Sequence, residues 1–208
     1  MAVLHVALVL AYPALVYLAL GVTSPRLVAL GVLVLVVARG VIASRGRRVE
    51  SAVGVRLPLF VAGAAMLVTA AWNDPLALLA TPALISFALL IVFAGSLGRR
   101  ECIVESFARA QRRALSDHEI RYCRRVTVVW CAFFLLNGAL ALGLAVAATR
   151  TQWALYTGAV AYLLMGSLYA AEFVYRQWRF RPYCGAPSDA LFRRIFPPRL
   201  PGGVDGSG

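Results

Sequence analysis

Five stretches of this chain carry no Asp, Glu or Arg, and lysine occurs nowhere: Met1 to Pro25, Leu57 to Asn73, Pro75 to Gly98, Val126 to Thr149 and Thr151 to Ala171. An α-helix rises ~1.5 Å per residue, so about 20 apolar residues cross a hydrocarbon core ~30 Å thick. Four of the stretches have that length outright, and the run at 57–73 sits near the lower limit. Leu27 to Ala43 is interrupted only by Arg39, close to one end, where a long side chain can snorkel to the headgroups. The expectation is an all-α integral membrane protein with six transmembrane helices, at about 2–21, 25–43, 57–72, 76–97, 126–148 and 153–175. A soluble chain of 208 residues would need a charged shell, and 14% charged against 61% hydrophobic residues does not provide one.

Local punctuation agrees with these spans. Ser24-Pro25 is a helix start, a capping hydroxyl followed by proline at the first helical position. Asn73-Asp74-Pro75 reads as a tight turn that makes the third and fourth spans a hairpin. Trp72 and Trp153 stand at span ends, where an amphipathic ring prefers the interface. The first stretch lacks a positive leader and a small-x-small cleavage site, so it reads as a retained helix.

The arginines orient the spans. Arg45, Arg47, Arg48 and Arg56 lie between spans two and three. Arg99, Arg100, Arg109, Arg112, Arg113, Arg121, Arg124 and Arg125 lie between four and five. Arg176, Arg179, Arg181, Arg193, Arg194 and Arg199 follow in the tail, whereas the opposite connections hold only Arg26 and Arg150. By the positive-inside rule both termini face the cytoplasm, as in a multi-pass protein of a bacterial inner membrane. Residues 1–178 then form one six-helix domain and 179–208 a cytoplasmic tail.

Two cytoplasmic segments are amphipathic. In 99–125, Ile103 and Phe107 recur at i and i+4 beside Val104, Ala108 and Ala114, with Arg109, Arg112 and Arg113 elsewhere on the helix, the pattern of an interfacial helix. Ser116 to Glu119 has capping-box spacing, so a second helix starts there and runs into the fifth span. The tail repeats the theme over 188–196, with Leu191, Phe192, Ile195 and Phe196 opposite Arg193 and Arg194, before Pro197-Pro198 and a disordered end.

No Gly-rich phosphate loop, H-E-x-x-H or nucleophile elbow occurs. Cys102, Cys123, Cys131 and Cys184 form no C-x-x-C pair and read as free thiols, and His5 and His118 have no clustered second ligand. No metal, cofactor or nucleic acid is expected. The candidates are instead intramembrane polar groups. Asn137 falls near the bilayer midplane and wants a hydrogen-bond partner on a neighbouring helix. Glu172, the only acid inside a span, can pair with Arg176 at i+4 or with Arg125 if spans five and six are antiparallel neighbours. Tyr156, Tyr162 and Tyr169 add hydroxyls along span six. Gly138 and Gly143 on span five, with Gly158, Gly166 and Ala170 on span six, permit close approach and mark that pair as the rigid core, or as a face for a second copy.

FAR at 107–109, RYCRRVTVVW..FFLLNG at 121–138 and W..Y.G...YLLMG.LY.AE...R at 153–176 resemble an uncharacterised bacterial family of polytopic inner-membrane proteins. The genes of that family accompany aryl polyene and xanthomonadin-type pigment synthesis. More distantly, WND at 72–74 and the W..FF pattern from Trp130 to Phe134 are similar to the intracellular septation protein A family. The first resemblance implies a role beside ketosynthases, dehydratases and acyl carrier proteins, the second a role in envelope maintenance and division. Neither supplies a catalytic residue. The leading expectation is a non-enzymatic accessory protein whose arginines meet an acidic acyl carrier protein, a ketosynthase or anionic lipid headgroups. A small exporter lined by Asn137, Glu172 and the span-six tyrosines is the second reading. The third is an acyltransferase drawing on His118, Cys123 and Glu119.

Overall fold

The computed structural model describes residues 15–19, 21–44, 53–111 and 115–180, and among them it is all-helical, with no strand. The helices are α1 (Pro25–Ser44), α2 (Val53–Trp72), α3 (Pro75–Leu97), α4 (Ile103–Gln111), α5 (Asp117–Ala147), α6 (Arg150–Leu155) and α7 (Ala161–Phe180), with a π-helical turn at Tyr156–Val160 joining the last two. Three runs are long and apolar enough to cross a membrane: Pro75–Leu97, Asp117–Ala147 and Arg150–Phe180, while Pro25–Val34 and Phe60–Trp72 are shorter apolar pieces. Of the first expected span, 15–19 and 21–22 are helical and 2–14 lie outside the described residues, as do Arg112, Arg113 and the tail helix expected at 188–196.

Capping chemistry sets most boundaries. Asp74 accepts from Leu76 N at 2.8 Å and so caps α3, while Pro75 takes the first helical position. The preceding Asn73 has φ 56°, a left-handed conformation that asparagine tolerates, and this reverses the chain between α2 and α3. Its side chain accepts from Arg26 N at 3.1 Å, tying the hairpin to the start of α1. Ser116 and Glu119 form the expected capping box, and Thr149 with Gln152 forms a second one at the head of α6. Because the first box lies well before the apolar run, α5 is one 31-residue helix that joins the arginine collar to the span without a break.

α3 is the central helix. It packs against both α2 and α5, and its buried positions are mostly small: Ala80, Thr81, Ala83, Ser86 and Ala88. Small side chains let backbones approach where lipid removes any hydrophobic drive for helices to associate. The closest helix pair is therefore α3 with α5, whereas α5 and α7 touch sparsely. This differs from the expectation that spans five and six form the rigid core. Among these small residues Gly138 makes a close approach. A Cβ there would stand 2.9 Å from Phe87 Cε1, so Phe87 of α3 lies directly over the glycine. A Cβ at Gly143 or Gly166 would meet nothing within 4 Å, and Ala170 is exposed. Gly158 sits half-buried in the π turn. At Gly138 the neighbour is Phe87 of α3, an aromatic that no small-residue motif announces.

Trp153 also departs from its expected place. It is 1% exposed, packs with Met66 and Leu78, and donates from Nε1 to Leu79 O at 2.9 Å. The indole thus ties the head of α6 to α3 in the turn before Pro82. Trp72, by contrast, is exposed at the end of α2, as an interfacial tryptophan would be.

Gly138→Leu should destabilise the protein by about 1–3 kcal/mol, because a side chain there displaces the Phe87 ring from its seat between α3 and α5. Gly143→Leu should leave the melting temperature in detergent within about a degree of the parent, as expected for surface changes of under about 0.5 kcal/mol. Thermal unfolding of both variants followed by circular dichroism checks this.

Candidate functional site

Two polar constellations stand out, one inside the apolar layer and one at the arginine-rich end of the helices.

The inner one is built on Asn137, which is 9% exposed. Its Nδ2 donates to Ser86 Oγ on α3 at 3.0 Å, and its Oδ1 accepts from the Tyr156 hydroxyl at 2.9 Å. Ser86 in turn donates to Pro82 O at 3.0 Å. One amide thus bridges three helical segments, with each neighbour using a hydroxyl that suits its role. The register at Tyr156 comes from the π turn, in which Ala161 N reaches back to Tyr156 O. Thr157 restores local bonding by donating to Trp153 O at 2.7 Å. A π turn shifts every later residue around the helix axis, and such bulges recur at functional sites. Trp153 and Tyr156, three residues apart, share one face ahead of that shift, and from it Trp153 bonds to α3 and Tyr156 to α5. Sequence reasoning found Asn137 and Tyr156 but not Ser86, because serine in an Ala-rich helix gives no sign of a partner 51 positions away.

Glu172 is held by Arg176, whose Nε and Nη2 lie 2.8 and 2.6 Å from the same Oε1. Of its two expected partners the i+4 arginine takes it, and Arg125 faces elsewhere. Arg176 also sits 5.8 Å above the Tyr122 ring. Tyr162 is half-buried, while Tyr169 is 61% exposed and stacks on Phe173, so the tyrosines of α7 line no common path with Asn137.

At the collar the structure sorts the arginines by what they touch. Arg109 donates to Glu105 through Nε at 3.0 Å and Nη2 at 2.7 Å, and lies 3.6 Å from Glu101. The hydrogen bond to Glu105 raises its pKa above the ordinary arginine value. Glu105 is 2% exposed, and with Val104 and Ala108 it forms the inner face of α4, closing over Cys102 and Cys123. The expected interfacial stripe is split accordingly: Val104 and Ala108 pack inward, and Phe107 points out at 68% exposure. Arg124 donates from Nη2 to Leu97 O at 2.6 Å, satisfying one of the orphan carbonyls at the end of α3. Arg99, Arg100, Arg121 and Arg125 are exposed and have no carboxylate partner among the described residues.

Two of those open onto a shallow cleft of about 140 Å³. α5 contributes His118, Arg121, Tyr122 and Arg125 to it, at i, i+3, i+4 and i+7 along one face, and α7 adds Tyr175, Arg179 and Phe180. Tyr122 and Tyr175 stack with centroids 5.4 Å apart at 19°, and Phe180 meets Tyr122 edge-on at 5.2 Å. Arg121 Nη2 is 3.1 Å from His118 Nδ1. Arg179 had no place among the sequence candidates, since only the antiparallel pairing of α5 with α7 brings it beside Arg121 and Arg125.

The residues considered for acyl transfer do not meet. Cys123 is 1% exposed beneath α4, whereas His118 opens onto the cleft, about 140° away around α5 at ~100° per residue. Among the described residues, no group of three or more His, Cys, Asp or Glu is placed to hold a metal ion. Comparison of the chain with protein-family models, curated proteins and solved structures finds no match.

Two outcomes follow from this geometry. Asn137→Leu should cost about 1–2 kcal/mol, since interhelical hydrogen bonds in membranes average ~0.6 kcal/mol each. Tyr156→Phe should cost roughly half as much and add little in the Asn137→Leu background, as a double-mutant cycle on detergent unfolding will show. Arg124→Gln should lower thermal stability, by about 1–2 kcal/mol for a lost charge-assisted bond. Arg125→Gln, one residue along, should not, and parallel melts of the two variants separate a structural arginine from a free one.

Proposed function

We propose that the chain is a non-enzymatic accessory protein of a bacterial inner membrane that docks acidic cytosolic enzymes of acyl-chain synthesis. In this reading it crosses the membrane six times with both termini in the cytoplasm, as the arginine distribution favours. The observation that carries it is the division of labour at the collar. Arg109, Arg124 and Arg176 are spent on internal partners, whereas Arg99, Arg100, Arg121, Arg125 and Arg179 stand at the same end of the helices with no carboxylate to meet among the described residues. Holding several like charges together without counter-charge costs free energy that an acidic partner returns on binding, and the same field speeds encounter.

The resemblance to proteins that accompany aryl polyene synthesis names the partner class. Acyl carrier proteins are small and strongly acidic, and a ketosynthase that follows its carrier to the membrane would be retained with it. Positioning rather than chemistry is the contribution proposed for this face. Delivering a growing, poorly soluble acyl chain at the bilayer surface is the advantage such docking would confer.

The test is co-purification from the native host in mild detergent, with mass spectrometry of the recovered proteins. An acyl carrier protein or ketosynthase should be recovered with the parent chain. Recovery should fall about tenfold on joint replacement of Arg99, Arg100, Arg121 and Arg125 by glutamine, and it should fall for the parent as salt rises. Equal recovery from the variant would overturn the docking reading.

A further inference from the structure

We propose that the cleft between the first turns of α5 and the last turns of α7 binds the phosphate headgroup of one anionic phospholipid. The inference rests on the preceding reading only in placing this end of the helices at the level of the cytoplasmic headgroups. Arg125 directly precedes the charge-free run that begins at Val126, and Arg121 stands about 6 Å further out, within the headgroup layer. Arg179 reaches the same cleft from α7.

Charge defines what enters. Arg121, Arg125 and Arg179 all line the cleft, no acidic residue lines it, and none of the three has a carboxylate partner among the described residues. Glu172, the nearest acid on α7, is engaged by Arg176. Guanidinium groups bind phosphate through paired N–H donors, and three of them suit a group that carries more than one charge. A phosphate monoester, at about −1.5 to −2 near neutral pH, matches better than a singly charged diester, and a zwitterionic headgroup matches worst. His118 beside Arg121 adds a further polar contact at the rim.

Shape and surroundings select a lipid over a protein. The cleft holds about 140 Å³, room for one headgroup but not for a folded surface. The Tyr122–Tyr175 stack, with Phe180 edge-on to Tyr122, lines it between the arginines and gives a glyceryl unit an aromatic surface to rest on. Below the cleft, α5 and α7 approach only sparsely until Tyr156 meets Asn137. Leu136 of α5 and Leu164 of α7 are exposed along that stretch, each about 20° around its helix axis from a cleft residue, Arg125 and Tyr175, offering apolar surface for acyl chains. Headgroup site and acyl surface are therefore continuous along one helix pair.

The full chain, purified in a neutral detergent, is titrated with phosphatidic acid, phosphatidylglycerol or phosphatidylcholine. Bound lipid is counted by native mass spectrometry, and protection is read as thermal stabilisation. One phosphatidic acid per chain should be retained, phosphatidylglycerol more weakly and phosphatidylcholine least. Arg125→Gln and Arg179→Gln should each weaken phosphatidic acid about tenfold, as losing hydrogen bonds to a charged group implies, with lipid-free melts like the parent's. Arg179→Lys, which keeps the charge and loses the fork, should fall between parent and glutamine variant, and it stands in if a glutamine variant fails to fold. Equal retention of phosphatidylcholine, or unchanged affinity in both glutamine variants, would overturn the site. Inorganic phosphate that protects as well as the lipid at equal concentration would overturn the lipid assignment. Loss of lipid selectivity with intact recovery of an acyl carrier protein removes this site and leaves the docking reading, and the converse result does the opposite.

Discussion

A primary amide in hydrocarbon has no water to fall back on, and the arrangement of the apolar half of this protein follows from how Asn137 is satisfied. Ser86 accepts from one side of the amide and Tyr156 donates to the other, so α3, α5 and the π turn meet at one place and in one register. Each such bond adds little stability in a membrane, because the separated helices find alternative partners. What it contributes is selection: sliding α5 along α3 by one turn would part the amide from both Ser86 and Tyr156. In that register the small residues of α3 are buried and Phe87 sits over Gly138. Trp153 reinforces it by bonding to α3 one turn before Pro82.

The opposite end is organised by charge. Three arginines are structural, each for a different reason: Arg109 neutralises a buried glutamate, Arg124 caps the end of α3, and Arg176 pairs with Glu172 above an aromatic ring. Others that look identical in sequence remain free. A positive-inside count treats all of them alike, since orientation in the bilayer depends on where charge lies and not on what it touches. What an arginine touches is decided by the packing of the helices, and here one residue type serves both as internal partner and as exposed charge.

The legible parts of the fold were those set by neighbours in sequence. The capping box at Ser116 and Glu119, the turn at Asn73-Asp74-Pro75 and the extents of α2 and α3 depend on residues within a few positions of one another. The i+4 pair of Glu172 with Arg176 belongs to the same class. The burial of Trp153 was not legible, because a tryptophan facing lipid at a span end and one packed between helices look the same along the chain. The expected closeness of spans five and six failed for a related reason. Gly143, Gly166 and Ala170 permit contact, but permission does not create a partner.

By itself the sequence determined that the chain is helical and apolar over lengths that can cross a membrane, because backbone polar groups in lipid must be satisfied within a segment, and hydropathy and charge are segment properties. It also determined where the positive charge gathers and that one amide would need partners. The tertiary structure alone decided that the partners are Ser86 and Tyr156, that Phe87 covers Gly138, and that Arg179 joins Arg121 and Arg125 around one cleft. Those facts depend on which face each helix turns to its neighbour. In a chain whose spans are apolar on every side, the pattern of hydropathy carries no record of that choice.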